Sequence, residues 1–200
     1  MDDLIENGAI TSSIAIVGVF NTPKRLSEYT YSQDPQFSEY PALADEYLDF
    51  LEDVLRPDVV NHVRVSEDVS WGILGSSLGG LVSCYAGWTR SSYDVAGCMS
   101  SSFWWNEEDF NAKILGNGTS ALPEGQHTTF YLDSGTGIPG QSDDDEFETI
   151  RVYKSLEALG KVPGSSLRYA LDKGGQHNEK SWGDRFWKPM TDFYSPRPGI

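Results

Sequence analysis

Gly75-Ser76-Ser77-Leu78-Gly79 has the form G-x-S-x-G, a pattern whose chemistry is nucleophilic. A serine at a sharp turn from strand into helix is held at φ > 0, and the turn lifts its hydroxyl above the sheet edge. Side chains two residues before and after would collide there, so both positions need to be small. Gly75 and Gly79 meet that need, and Gly80 lets the helix approach closely. The next amide, on Leu78, points at the start of the helix, where backbone donors and the helix dipole suit a developing oxyanion. A glycine-rich turn with no chemistry would read the same over five residues, so the pattern needs partners. Phosphate binding is the weaker alternative, because no lysine follows as a P-loop requires.

The chain has three histidines. His62 lies in a polar stretch after Pro57 and His127 precedes a strand, so both read as surface or edge residues. His177 sits in Asp172-Lys-Gly-Gly-Gln-His-Asn-Glu179, a loop at the carboxyl end of the last apolar run. Catalytic groups of parallel sheets gather at those ends. Asp172 and Glu179 in the same loop raise a metal site as an alternative, but one histidine and scattered carboxylates are poor ligand spacing. An acid should orient the imidazole and stabilise its protonated form. In the order serine, acid, histidine it should follow the intervening strand. The loop there carries Asp143, Asp144 and Asp145, with Asp143 placed first and Asp144 second. Capping of the following helix is the competing role for this cluster, and the two coexist. Asp133, still within the strand, ranks lower.

Apolar runs alternate with helical patterns, the signature of a parallel sheet covered by helices. Residues 13–20 (SIAIVGVF) are apolar at nearly every position, as a strand buried on both faces should be. Leu43, Tyr47, Leu48, Leu51 and Leu55 fall at helical spacing, and Pro57 is expected to close that helix. Further strands are expected at 71–74, 95–100, 128–133 and 166–171, with helices at 81–88 and 148–160. Trp182, Phe186, Met190 and Phe193 suggest a final helix, bent or ended early by Pro189. The expectation is a single-domain α/β sandwich with one core.

Two hundred residues carry 15 basic and 30 acidic side chains, a net charge of −15. With 38% hydrophobic and 12% aromatic residues the chain can bury a real core and is not a disordered one. The acidic balance, without a basic cluster, argues against nucleic acid as a partner. No apolar run approaches the roughly 18–20 residues of a membrane span, and Met1-Asp-Asp-Leu has no basic or signal-like character. No membrane partner and a cytoplasmic location are therefore expected. Cys84 and Cys98 read as free buried thiols. Asn117-Gly-Thr119 is a glycosylation sequon, discounted without a signal peptide.

Five ordered motifs together resemble the esterase branch of the α/β-hydrolases that includes enterochelin esterases, feruloyl esterases and esterase D-like enzymes. They are Val17-Gly-Val-Phe-Asn21 with Arg25 and Glu28-Tyr29, the elbow with its extra Gly80, Ser100-Ser-Ser-Phe-Trp-Trp105, Asp133-Ser-Gly-Thr-Gly137, and Gly174-Gly-Gln-His-Asn-Glu-Lys-Ser-Trp182. The likeness runs from Ile14 to about Tyr194. It implies a three-layer α/β-hydrolase fold with Ser77 as nucleophile and His177 as base. In many relatives the acid stands about three residues after the turn glycine, which here is Ile138, inside an inserted Ile-Pro-Gly-Gln-Ser stretch. Counting back from the helix around Arg151 again favours Asp143. Trp104 and Trp105 line an acyl or aromatic pocket on one reading and belong to the core on the other.

The resemblance also implies strands before residue 13, one of them central, between 13–20 and 71–74. The chain is therefore expected to be shortened at its N-terminus, marginally stable and weakly active, with Leu78 as the one firmly placed oxyanion donor. Either 13–20 moves over to pair with 71–74, or a gap of one strand spacing, ~4.8 Å, leaves unpaired groups on both. The function expected is hydrolysis of a small-molecule ester through an acyl-enzyme, without metal or organic cofactor. An acyltransferase with the same triad and a non-catalytic protein on the same scaffold are the rivals.

Overall fold

Four of the apolar runs form strands: β1 (Gly72–Ser76), β2 (Val95–Met99), β3 (Thr129–Gly135) and β4 (Leu167–Asp172). The computed structural model describes residues 2–10, 13–138 and 144–195. The strands pair in sequence order and are all parallel. Parallel neighbours need crossover connections. Around the sheet lie α1 (Ala44–Phe50), α2 (Arg56–His62), α3 (Leu78–Thr89), α4 (Glu146–Ala158), α5 (Glu179–Arg185) and α6 (Trp187–Tyr194). Helix α3 links β1 to β2, and α4 leads from β3 to β4.

Alternation along β3 shows the layering, because successive side chains point to opposite faces. Phe130 and Leu132 share a core with Leu81 of α3 and Val152 and Leu156 of α4. Tyr131, on the other face, meets Phe193 of α6 edge-on with ring centroids 6.3 Å apart. Helices cover both faces, giving three layers in the manner of an α/β-hydrolase. Among the described residues, no helix is long and apolar enough to cross a membrane.

Two expectations need correction. Residues 13–20 form no strand: they belong to no regular element, with Phe20 95% and Ile16 57% exposed. A run of apolar residues is buried as a strand only where a neighbour pairs its edge and helices cover its faces, and the described sheet offers 13–20 neither. Strand β1 accordingly pairs only with β2 among the described residues. Pro57 does not close the first long helix. A π-helical turn at Leu51–Leu55 runs from α1 straight into α2, and the chain stays helical past Pro57, which lies at the start of α2. The final helical run is interrupted as expected: Pro189 has no N–H for the Arg185 carbonyl four residues back, and α5 ends at Arg185 before α6 begins.

Helix α3 and the segment after β2 approach each other closely. A Cβ on Gly80 would strike Ser101 Oγ and stand 2.9 Å from the Met99 carbonyl. Gly80→Ala should therefore cost about 1–3 kcal/mol through overpacking. In thermal denaturation that is a fall in midpoint of roughly 2–12 °C. An unchanged midpoint would mean that α3 can move away freely.

Candidate active site

Ser77 joins β1 to α3 at φ 59° and ψ −129°, the left-handed turn expected of a serine elbow. A Cβ on Gly75 would lie 2.5 Å from the Gly79 carbonyl, so Gly75 must be glycine. Gly79 has more room: its own Cβ would meet only Tyr29, at 3.9 Å. Such strain costs on the order of 1–3 kcal/mol and persists only where surroundings fix it. Here the fixing comes from β2. The Ser77 N–H donates to the Met99 carbonyl at 3.1 Å, and Ser102 N–H donates to the Ser77 carbonyl at 3.2 Å. The Leu78 N–H opens α3, where a helix leaves its first donors without internal partners.

His177 arrives from the loop between β4 and α5. That loop is braced against the end of β3, with Thr136 N–H on the Asp172 carbonyl at 3.0 Å and Gly137 N–H on the Gly175 carbonyl at 2.9 Å. Asn178 then caps α5, its side chain accepting from Ser181 N–H at 2.9 Å. The imidazole places Nε2 at 3.0 Å from Ser77 Oγ and Nδ1 at 2.7 Å from Asp144 Oδ1. An ionised carboxylate only accepts, so Nδ1 carries the proton and Nε2 is free to accept from the Ser77 hydroxyl. Ser102 Oγ lies 3.3 Å from Ser77 Oγ on the other side. With the Ser77 proton directed at His177, Ser102 is the donor of that pair.

Asp144 is fully buried. Burial alone would raise its carboxyl. Hydrogen bonds from His177, Ser100 and the Gly135 N–H, together with the Arg185 charge, outweigh burial and hold it below the usual carboxylate range. The Asp144 hydrogen bond raises the His177 imidazole above an ordinary histidine, against burial, with Asp144 and Asp145 charge adding and Arg185 opposing. Asp145 Oδ2 stands farther from Nδ1, at 3.7 Å.

The structure thus brings Ser77, His177 and Asp144 together, with Leu78 at the helix start. Asp143 lies outside the described residues. Asp133 is buried behind Asp144, and Glu179 lines a neighbouring cavity. Trp105 belongs to the core, 1% exposed, its indole N–H on the Ser32 carbonyl. Trp104 is half-buried, edge-on to Phe37. His62 and His127 stay on the surface beside Asp58 and Asp94. Cys84 and Cys98 are free and buried. A cavity of about 410 Å³ opens beside the elbow, bounded by β1, Val17, Tyr29, Trp71 and Trp182. Trp182 also packs edge-on to His177, with centroids 5.0 Å apart.

Sequence reasoning missed Ser102, Ser100, Trp182 and Arg185 as neighbours of this cluster. The first two were detectable, since residues that follow β2 must lie beside those that follow β1 in a parallel sheet. Arg185, one cation in a polar helix, gives no such signal.

Residues 1–193 match the family described as "Putative esterase". An uncharacterized protein of Bacillus subtilis, YbbA, is 26% identical over 90% of this chain and 73% of its own length. A siderophore enterobactin esterase of Emericella nidulans is 42% identical over 67 residues, 32% of this chain and 22% of that protein. Among solved structures, the BES protein of Bacillus cereus superposes with a TM-score of 0.65 at 18% identity, covering 98% of this chain and 76% of that one. The enterobactin esterase FES of Shigella flexneri gives 0.68 at 17% identity, covering 94% and 44%. These likenesses establish the α/β-hydrolase-like fold, while the family match reaches across nearly the whole sequence. The chain belongs to the esterase family, and ester hydrolysis is the activity that this membership supports.

Proposed function

We propose that this chain is a serine esterase that hydrolyses a small-molecule carboxylic ester through an acyl-enzyme, with Ser77 as nucleophile, His177 as general base and acid, and Asp144 as the orienting carboxylate. The observation that carries the reading is one unbroken relay, Ser77 Oγ to His177 Nε2 at 3.0 Å and His177 Nδ1 to Asp144 Oδ1 at 2.7 Å, mounted on a left-handed elbow. Ser77 Oγ attacks the ester carbonyl while its proton passes to Nε2. The tetrahedral oxyanion lies against the Leu78 N–H at the head of α3, where the helix dipole favours negative charge. Collapse expels the alcohol, which takes the proton from Nε2. Water then repeats the sequence on the acyl-enzyme and frees the acid. Aromatic walls at Tyr29, Trp71 and Trp182 suit an ester with a flat apolar group. Two solved neighbours, EstA and EstB of Aspergillus nidulans, are named as siderophore hydrolases, so siderophore esters are the first class to assay.

Ser77→Ala is expected to lose on the order of 10⁴–10⁶ in turnover of short aryl esters while its circular dichroism stays unchanged. A fluorophosphonate should label the wild type at Ser77. Label mapped to another residue, or a variant with half the native turnover, overturns the assignment.

Attack requires neutral His177, and Asp144 raises that imidazole, so the acid limb of kcat/KM should lie above an ordinary histidine value of about 6.5. Asp144→Asn removes the main cause of the rise. Its limb should move to lower pH and its rate should fall by on the order of 10⁴. Asp145→Asn, whose oxygen stands 3.7 Å from Nδ1, should change both far less. Equal small effects from the two variants would remove Asp144 from the mechanism.

A further inference from the structure

Behind the relay lies a buried charge cluster that ester hydrolysis does not by itself require. Arg185, the last residue of α5, is 2% exposed. Its Nη2 donates to Asp144 Oδ2 at 3.0 Å, to Asp133 Oδ1 at 3.1 Å and to Ser100 Oγ. Its Nη1 faces Asp172 Oδ2 at 3.6 Å, and Lys188 of α6 holds the other oxygen of Asp172 at 3.2 Å.

The two oxygens of Asp144 are treated differently. Oδ2 accepts from Arg185, from the Gly135 N–H at 2.7 Å and from the Ser100 hydroxyl. Oδ1 accepts from His177 Nδ1. A carboxylate fixed at one oxygen by three donors cannot rotate about its bond to Cβ, so the other oxygen keeps one direction. Asp133 does the same for the guanidinium. It is fully buried, and its remaining contacts are the Tyr131 hydroxyl on Oδ2 at 3.1 Å and the Ser100 N–H on Oδ1 at 3.1 Å.

We propose that Arg185 is a positioning residue for the hydrolytic relay: it clamps Oδ2 of Asp144 so that Oδ1 serves His177, and Asp133 is the counter-charge that holds the guanidinium and moderates its field at the imidazole. The inference rests on the serine-esterase reading above. Beyond Asp144, the charged groups facing His177 among the described residues are Asp145 at 3.7 Å and Arg185 itself. Burial pushes the Asp133 carboxyl up, against Arg185, Tyr131 and the Ser100 N–H, so the pair is held together in a place where neither charge would stand alone.

The two partners must act on His177 with opposite sign. Removing the cation disfavours the doubly deprotonated Asp144–His177 pair, whichever member takes the proton, and the relay becomes active only at higher pH. Removing Asp133 leaves the cation less neutralised, and the relay becomes active at lower pH. A residue that only supports the fold would lower the amount of active enzyme at every pH and leave the midpoint in place.

The test is imidazole titration by ¹⁵N NMR in wild type, Arg185→Met, Arg185→Lys and Asp133→Asn, alongside the pH profile of fluorophosphonate labelling at Ser77. Arg185→Met should titrate higher and label roughly 10–100-fold more slowly at neutral pH, the usual loss when an orienting partner is removed. Arg185→Lys keeps the charge and guards against a Met variant that fails to fold. It should label more slowly yet titrate close to wild type. Asp133→Asn should titrate lower. Unmoved His177 midpoints, or shifts of one sign in Arg185→Met and Asp133→Asn, overturn the proposal. If the midpoints move as stated while wild-type Ser77 takes no label, the positioning role stands and the hydrolase reading falls.

Discussion

An ionised carboxylate with no access to water must be surrounded by donors, and the site of this esterase-family chain is arranged around that requirement at Asp144. Its donors come from the histidine loop, from the residue after β2, from the end of β3 and from α5. No two are neighbours in sequence, so the charge can be satisfied only once all four segments are in place. Breaking one partner away from a buried pair costs about 3–5 kcal/mol. That is a large share of a typical stability of roughly 5–15 kcal/mol. The folded state and the assembled site are therefore linked.

The register of the parallel sheet is what lets these segments meet. Ser76 lies opposite Met99, Met99 opposite Asp133, and Gly135 opposite Asp172. Each strand thus releases its next residues at the same edge: Ser77 after β1, Ser100 and Ser102 after β2, the Asp144 loop after β3, and His177 after β4. Ser100 takes a left-handed φ of 40° to do so, a second strained serine one strand over from the elbow. Both strained residues are pinned by backbone hydrogen bonds to the next strand, Ser77 to Met99 and Ser100 to Asp133. The strain is held by the sheet, which is why it can be kept at the site.

The parts legible in the sequence were those fixed by local rules. Glycine spacing gave the elbow, and the order of apolar runs gave β1 to β4 within one or two residues. Position after the last strand singled out His177 from the two surface histidines. A partner for His177 was harder to single out, because three consecutive aspartates look alike in sequence. Arg185 was invisible because its partners lie 41, 52 and 85 residues away. Residues 13–20 misled for the opposite reason. Their composition satisfies every local rule for a buried strand, but burial of a strand is a property of its neighbours.

That last point bears on the elbow itself. Strand β1 leads into Ser77, the proposed nucleophile, yet is paired on one side only among the described residues, with the cavity along its other edge. A side chain at the end of such a strand would drift if the strand alone positioned it. Three contacts made away from that edge prevent this: Met99 and Ser102 bind the backbone of Ser77 from the β2 side, and Gly80 seats α3 against Ser101. Helix α3 is buried at nearly every residue, so it cannot tilt without opening the core. The direction of the Ser77 hydroxyl is thus set by α3 and β2 rather than by the cavity-side edge of β1. The open side is left to shape the cavity, where Tyr29 and Trp182 approach the elbow from segments outside the sheet.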